Sequence, residues 1–255
     1  MNFTTDIRIR AFRAIDDLQT CQKYIEGHRR VLSIYGIENI TSNTDDWPYN
    51  PSIFVIVVES ADGEKLYGGA RVQAANGIIQ LPIEEATSEM DNRIHEVIRN
   101  YASSGVAEAS GLWNSREVAG LGIGSLFPAR CAIVLLKQLG ISTLVTLSSP
   151  TTVRFNQWLG LSTLKSVGNE GTFYYPKLDL LATACVLEDS FTLKNAHLRE
   201  KEKLLYLREN LQCDIVEKSP FKNLYVNVHY NLAIASAKEG EFNINYNVSD
   251  LQRTK

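Results

Sequence analysis

The stretch from Gly105 to Leu139 constrains the fold of this chain more than any other. Val106 to Trp113 has the length and the preceding glycine of a short strand, and an apolar helical pattern starts at Ser125. Between them lies Gly120 to Gly124, with the sequence GLGIG. Glycines let a turn pass close to a ligand, and the unpaired N–H groups of the following helix attract anions. The sequence therefore predicts a strand, a glycine turn and a helix that together bind phosphate.

Two common phosphate-binding motifs do not fit this spacing. The dinucleotide-binding pattern G-x-G-x-x-G fails because Ser125 or Phe127 stands where the third glycine is needed. A P-loop fails because no Gly-Lys-Ser/Thr follows the glycines. The alternative that stays open is a glycine-rich turn that only joins a strand to a helix.

The same stretch resembles the GCN5-related N-acyltransferase (GNAT) superfamily. That family carries Gln/Arg-x-x-Gly-x-Gly/Ala between its central strand and the helix that cradles the coenzyme A diphosphate. Here Gly122-Ile123-Gly124 takes the Gly-x-Gly place, but Ala119 stands at the Gln/Arg position. Residues 151–161, TTVRFNQWLGL, look like the family helix that ends in Tyr-x-x-x-Gly-Phe. Residues 108–112, EASGL, partly echo the Glu-x-Ser-Arg motif of acyl-homoserine-lactone and N-acyl amino acid synthases, with Gly111 in place of the arginine.

The resemblance implies an α+β fold with three layers, α/β/α. In that fold a mixed, mostly antiparallel sheet has two central strands that splay apart. Residues 1–178 would form the acyltransferase domain, 179–240 a C-terminal extension packed on it, and 241–255 a polar tail. Alternating residues from Tyr225 to Ala235 predict a long strand with one wet face in the extension. The sequence leaves open whether the extension lengthens the sheet, covers the acceptor cleft or makes a homodimer.

The composition argues against several other classes of function. The 255 residues have a formal net charge of −3 and a pI of about 5.9, which argues against nucleic acid or an anionic membrane as a partner. No apolar run approaches a membrane span, and the charged N-terminal residues argue against a signal peptide. The four cysteines and four histidines lack metal-binding spacings. We therefore expect reduced thiols, no metal site and a cytoplasmic protein.

The resemblance implies an acyl thioester as co-substrate, either acyl-CoA or an acyl-carrier protein, with no tightly bound cofactor. Pantetheine would lie between the splayed strands and pair with the backbone of Leu112, Trp113 and Asn114. The diphosphate would bind main-chain amides of the glycine turn, which are those of Gly120, Leu121, Gly122, Ile123, Gly124 and Ser125. A side chain at Gly124 would then crowd the diphosphate and leave the fold intact.

Amide formation from a thioester needs an unprotonated amine, so the site needs a base or an ordered water. Glu108 is the only acid on the predicted central strand, and burial would raise its pKa into a range that suits a base. A structural glutamate is the equal alternative. The family often supplies a tyrosine that protonates the departing thiolate, and Asn156 stands at that place here.

Further candidates lie on the predicted strand that carries Arg71 and on the first predicted helix. Arg71 follows a glycine pair at 68–69 that predicts a bulge or a close backbone approach. In the synthase branch a Gly-x-Arg here lies near the acyl donor, so Arg71 is a substrate-binding candidate, with an edge-strand surface charge as the alternative. The helix predicted from Asp17 to Tyr35 shapes the acceptor pocket in the family, although a solvated face is the simpler interpretation of its polar residues. These are Glu26, His28, Arg29 and Arg30.

Two functions follow. The first is an N-acyltransferase that moves an acyl group from a CoA or acyl-carrier-protein thioester to the amine of a small molecule or amino acid. The second is a catalytically degenerate member of the fold that binds acyl-CoA or a protein partner. Ordinary small acetyltransferases nearly lack a segment like Ile78 to Ser103. This segment and the small residues Ala107, Ala109 and Gly111 favour an acyl group larger than acetyl, unless a helix fills that space.

Overall fold

The computed structural model describes residues 3–37, 40, 44–219, 223–238 and 240–242. Within them, ten strands form one sheet and six α-helices pack on it. The strands are β1 (Phe3–Arg13), β2 (Ile53–Ser60), β3 (Leu66–Ala74), β4 (Val106–Asn114), β5 (Thr143–Ser148), β6 (Ser162–Thr163), β7 (Thr172–Tyr174), β8 (Leu181–Leu187), β9 (Gln212–Lys218) and β10 (Tyr225–Asn231). The helices are α1 (Leu18–Ile34), α2 (Pro82–Thr87), α3 (Arg93–Ala102), α4 (Leu126–Leu139), α5 (Pro150–Trp158) and α6 (Leu198–Glu209).

The sheet is mixed and mostly antiparallel, in the order β6-β8-β5-β4-β3-β2-β1-β10-β9, with β7 on β8. Only β4 with β5 and β1 with β10 run parallel among the described residues. β4 and β5 pair over three positions, from Val106 to Glu108, and then diverge. This confirms the predicted α+β fold with splayed central strands.

Helices cover both faces of the sheet, and β2 shows this directly. Its residues Phe54, Ile56 and Val58 belong to the core under α4, and Ile53, Val55 and Val57 belong to the core under α1. Because neighbouring side chains on a strand point to opposite faces, α1 and α4 lie on opposite sides of the sheet. The continuous apolar run of β2 is typical of a strand buried on both faces.

A β-bulge interrupts β4 next to the point of divergence. Gly69 of β3 lies opposite Trp113 and Arg71 lies opposite Ser110, so one β3 residue faces both Gly111 and Leu112. Gly111 has a φ of +61°, a conformation that costs glycine nothing and other residues much more. The hydroxyl of Tyr24 on α1 donates a hydrogen bond to the Gly111 carbonyl and holds the bulge.

The C-terminal residues lengthen the sheet. β10 pairs in parallel with β1, β9 follows antiparallel at the edge, and α6 packs against α4. The predicted strand from Tyr225 to Ala235 is β10, which ends at Asn231. Of the predicted polar tail, residues 243–255 lie outside the described residues. Glu241 pairs with Arg13 at 2.7 Å and Phe242 packs edge-on against Phe54.

The residues from Ser162 to Pro176, with Gly168-Asn169-Glu170 between two short runs, predict a closing hairpin, and this prediction is only partly correct. β6 and β7 have two and three residues, and each pairs with β8 rather than with the other. β8, which the sequence interpretation missed, pairs with β5 over five positions. The divergence of β4 leaves one edge of β5 open, and β8 covers the other edge.

The sequence also predicts an N-cap at Asp16 and a helix that starts at Ser88 with the capping box Ser-x-x-Asp, and both starts differ in the structure. Asp17 rather than Asp16 caps α1, because its side chain accepts the N–H of Thr20 at 3.0 Å. The segment from Ser88 does not begin a helix directly. α3 starts at Arg93, whose N–H donates to the Asp91 carboxylate at 3.1 Å. Across the described ranges, every helix is too short or too polar to cross a membrane.

Candidate active site

A cavity of about 870 Å³ opens where β4 and β5 diverge. Its walls come from both sides of the sheet, since α1 contributes His28 and Val31 while α4 contributes Ala129 and Ile133. The cavity therefore passes between the two strands. Four predicted site residues line it, namely Glu108, Leu112, Trp113 and Asn156. The other predicted site residues do not line it, namely Arg71, Asn114 and the turn from Gly120 to Ser125.

Glu108 is buried in the wall on the α2 side. Its Oε2 accepts the backbone N–H of Ile83 at 2.6 Å. Burial raises the pKa of this carboxyl to about 8, although the hydrogen bond from Ile83 and the positive charge of Arg71 oppose the rise. Glu108 is therefore largely protonated at neutral pH and becomes a base as the pH passes about 8.

Arg71 is 1% exposed and lies beside this wall. Its guanidinium stacks 4.9 Å from the centroid of the Trp47 ring, and its Nε donates a long hydrogen bond of 3.4 Å to Ser110 Oγ. No carboxylate oxygen of a described residue lies within 4.0 Å of its nitrogens. Burial lowers its pKa, against the attraction of more distant acids that include Glu108. Arg71 is thus a buried cation without a close counter-ion in the described part of the chain.

Asn156 joins α5 to the end of β5. Its Nδ2 donates to Ser148 Oγ at 2.8 Å and to Thr146 Oγ1 at 3.2 Å. The two hydroxyl oxygens lie 2.5 Å apart, and all three residues line the cavity. The side-chain nitrogen of Asn156 therefore donates to both members of a pair of hydroxyls.

The glycine turn precedes α4, as the sequence predicts, and presents hydrogen-bond donors. The backbone N–H groups of Gly122, Ile123 and Gly124 donate to no described residue. Three consecutive free donors ahead of a helix are the chemistry that an anion needs. Which ligand they bind stays a prediction.

Gly124 is needed for packing as well. A Cβ built on Gly124 would lie 2.7 Å from the Cα of Asn114, which is closer than real Cβ contacts come. A Cβ on Gly68 would lie 2.8 Å from the Cα of Gly124, so the predicted close approach at the glycine pair is confirmed. The expectation that a side chain at Gly124 leaves the fold intact is wrong, because three backbone segments meet there.

His28 is a cavity residue that the sequence interpretation ranked too low. It is buried, while Glu26, Arg29 and Arg30 on the same helix are exposed. The helical spacing from Tyr24 to His28 carries the signal, because residues four apart share one face. Thr146 and Ser148 were missed as well, and their signal is a pair of hydroxyls two residues apart at the end of an apolar strand.

No protein-family model and no curated protein sequence matches this chain. Among solved structures, the chain is similar to FeeM, an N-acyl amino acid synthase from uncultured soil microbes. The TM-score is 0.58 at 16% identity, over 78% of this chain and 99% of that one. It is also similar to the CoA-dependent acyl-homoserine lactone synthase BjaI, with a TM-score of 0.49 at 11% identity over 88% and 94% of the two chains. A mosquito arylalkylamine N-acetyltransferase-like protein, 5b, gives a TM-score of 0.48 at 16% identity over 71% and 99%.

At 16% identity, the likeness to the first of these shows the fold alone. That likeness covers nearly all of the solved chain and agrees with the splayed strands described above. The chain has a GNAT-like acyltransferase fold.

Proposed function

We propose that the chain is an N-acyltransferase that moves an acyl group from a pantetheine thioester to an amine. The observation that carries the proposal is the cavity between the splayed strands, which gathers a buried acid, a strand bulge and a set of hydroxyls around one space. The donor is acyl-CoA or an acyl-carrier protein, because both end in pantetheine.

The donor lies along the end of β4 in this proposal. Its pantetheine pairs with the backbone of Leu112, Trp113 and Asn114 beside the gap. Its diphosphate lies against the turn from Gly120 to Ser125, which the free N–H groups of Gly122, Ile123 and Gly124 support. These contacts are made by the main chain, so Ala119 in place of a Gln or Arg does not remove them.

The reaction joins the amine to the acyl carbon and releases a thiol. The amine nitrogen attacks the thioester carbonyl, and a backbone N–H at the bulge near Leu112 stabilises the negative oxygen. Glu108 in its ionised form takes the proton from the amine. The carbon–sulfur bond then breaks, and thiol and amide are the products.

The acceptor is an amine with an acidic group, such as an amino acid. Arg71 supports this choice, because an anion would give this buried cation the close counter-ion that the described residues do not provide. The activity of FeeM, N-acyl amino acid synthesis, is consistent with the same choice. His28 faces the cavity from α1, the side from which the family receives its acceptor.

The acyl group is medium or long. On the α4 and α5 side the cavity is walled by apolar residues, which are Ala129, Ile133, Leu144, Leu159 and Leu161. α2, within the segment from Ile78 to Ser103, adds Pro82 and Ala86 to the wall. Each methylene buried in such a channel contributes about 0.8 kcal/mol, so a few carbons decide the preference.

The proposal places the protein in the cytoplasm, which its four free cysteines support. It includes a homodimer through the C-terminal extension, which β9 supports because this strand pairs only with β10 in the described part of the sheet. Size-exclusion chromatography with light scattering tests the dimer.

Binding without transfer is the second candidate function. One observation favours it, since Asn156 has no acidic proton to give a thiolate and its side-chain nitrogen already donates to two hydroxyls. Purified protein is incubated with acetyl-, octanoyl- or palmitoyl-CoA and a panel of amines, and the released thiol is measured. Transfer predicts thiol release that needs the amine, whereas binding alone predicts saturation by acyl-CoA with no release.

A further inference from the structure

Thr146 and Ser148 place two hydroxyls in the cavity where β5 has already left β4. Both point to the α5 side, where Asn156 donates to each of them. Both residues are buried, yet both line the cavity. Their oxygens are 2.5 Å apart, so one hydroxyl donates its hydrogen to the other.

The two hydroxyls have one hydrogen more than their hydrogen bonds to described residues use. The pair has two hydroxyl hydrogens, and the bond between the oxygens uses one of them. No further hydrogen bond from either hydroxyl reaches a described residue. The second hydrogen therefore has no acceptor among the described residues, in a place that borders the cavity. A buried donor without an acceptor is costly, and a ligand atom in the cavity would supply one.

The count rests on the orientation of the Asn156 amide, in which Nδ2 faces both hydroxyl oxygens. With Nδ2 as the donor to each oxygen, neither hydroxyl gives its hydrogen to Asn156, so the pair keeps one hydrogen for the cavity.

Either hydroxyl can be the donor between the two oxygens, and we assign the free hydrogen to Ser148. It lies nearer than Thr146 to the open end of the gap, and it accepts the shorter bond from Asn156. When Thr146 also donates to it, the oxygen of Ser148 has two donors. Its own hydrogen then points away from both partners.

We propose that this hydrogen of Ser148 binds the sulfur of the thioester as the carbon–sulfur bond breaks, an inference that rests on the proposed acyl transfer. The electron pair of that bond passes to sulfur, and the hydroxyl donates a hydrogen bond to the forming thiolate. An aliphatic hydroxyl is a weaker acid than a thiol, so it keeps its proton. The proton that the amine loses to Glu108 passes to the thiolate through solvent, which leaves amide and thiol as products.

The position suits the departing sulfur. Glu108 is tied to α2 by the N–H of Ile83, and Ser148 is tied to α5 by Asn156. The apolar cores under these two helices lie on opposite faces of the sheet. A carbonyl carbon in the gap would meet the base on one side and the sulfur donor on the other.

The test uses donors that differ in their leaving thiol. With acyl-CoA, Ser148→Ala is expected to lower kcat about 10- to 100-fold with little change in KM, which is the size of a lost hydrogen bond to a charged group. With an acyl thiophenol ester of the same chain, the leaving thiolate needs less help and the loss is expected to shrink below about threefold. Thr146→Val keeps the Ser148 hydrogen and loses less than Ser148→Ala. Ser142→Ala, at the other end of β5, is the control.

Equal losses on both donors would mean that Ser148 acts only on structure, and no loss on acyl-CoA would overturn the proposal outright. A binding arm works without turnover. Wild type is expected to prefer CoA over desulfo-CoA more strongly at pH 9 than at pH 7, because thiols ionise near pH about 8.5. In Ser148→Ala, the increase in preference between pH 7 and pH 9 is expected to disappear. If the preference of wild type for CoA does not increase at pH 9, the inference is contradicted. If the preference increases but no amine-dependent thiol release is found, only the proposed function is contradicted.

Discussion

Arg71 and Arg130 are each 1% exposed, and these two buried arginines differ in their surroundings. Arg130 on α4 faces the C-terminal extension, where Glu200 on α6 lies 2.9 Å away and Glu217 on β9 lies 3.1 Å away. Arg71 on β3 lies beside the cavity, with an aromatic ring and one hydroxyl as its near partners.

The pKa directions follow this difference. Burial lowers the pKa of both arginines, but the carboxylates of Glu217 and Glu200 more than compensate at Arg130 and raise it. At Arg71 burial prevails and the pKa is lowered. A charge that only holds the fold together is paired, because an unpaired buried charge is expensive. The contrast suggests that the paired cation serves packing and the unpaired one serves a ligand.

The largest expected effect comes from removing a carboxylate that pairs with Arg130. Glu217 also accepts from Lys203 at 2.5 Å and from Tyr230 at 3.3 Å. Glu217→Gln leaves Arg130 short of one buried counter-charge, which costs about 3–5 kcal/mol in free energy of unfolding. Urea unfolding followed by circular dichroism measures it. Asp214→Asn, which breaks the exposed pair with His229 on the same two strands, is the control and should change little.

Removal of the acid beside Arg71 should act on activity instead. Glu108→Gln is expected to lower kcat/KM at least about 100-fold, the usual loss for a general base. In wild type, activity rises with pH toward a plateau above about pH 8, because Glu108 must ionise to accept a proton. A pH–rate profile of the variant that keeps this rise would assign it to another group.

Stability should change with pH in the opposite direction. The pKa of Glu108 is raised from 4.5 to about 8 in the folded protein, so the folded state binds the proton more tightly than the unfolded state. The contribution is full below pH about 4.5 and is lost as the pH rises to about 8. Glu108→Gln removes this dependence. In thermal melts, the melting temperature of the variant relative to wild type should therefore rise between pH 5 and pH 8.

The same substitution at both arginines compares the paired and the unpaired site directly. Arg71→Met removes an unpaired charge, and we expect it to change the free energy of unfolding by less than about 1 kcal/mol, whereas Arg130→Met strands two buried carboxylates and costs several kcal/mol. The KM for an acidic amine should rise about 10-fold in Arg71→Met, as for a lost charged hydrogen bond. The KM for a neutral amine is the control. Equal rises for both amines would count against an anion contact.

The smallest expected effect is the binding free energy that each methylene of the acyl chain adds. Affinity should grow by up to about 0.8 kcal/mol for each methylene until the apolar part of the cavity is filled. Ile133→Phe narrows this part and should shift the preference toward shorter chains. Competition binding with acetyl-, octanoyl- and palmitoyl-CoA measures both. A preference for acetyl in wild type would show that the chain does not enter the cavity.

The sequence predicted the elements whose signals are local. The strand β4, the glycine turn and α4 were predicted from glycine spacing and helical periodicity. The sequence interpretation missed β8 because this strand forms against the edge of β5 that faces away from β4, and β5 lies more than thirty residues earlier in the chain. Its sequence, LATACVL, carries no alternation that marks a face.

The site residues that could be predicted are likewise those with a local sequence signal. Glu108 and Asn156 could be placed from a motif, because each has a fixed position in a strand or helix. The free hydrogen of Ser148 could not, since it depends on how Thr146, Ser148 and Asn156 meet across two elements. The surroundings of Arg71, which hold no close counter-ion among the described residues, likewise exist only once α1, β3 and β4 have packed around it.

The most direct measurement counts products from one mixture of purified protein, octanoyl-CoA and amino acids. Mass spectrometry quantifies the N-octanoyl amide, and a thiol reagent quantifies free CoA. The two should form in a ratio of one to one, only when both substrates are present, and faster at pH 8 than at pH 7. Binding of octanoyl-CoA without either product, or thiol release that does not need the amine, would contradict an N-acyltransferase.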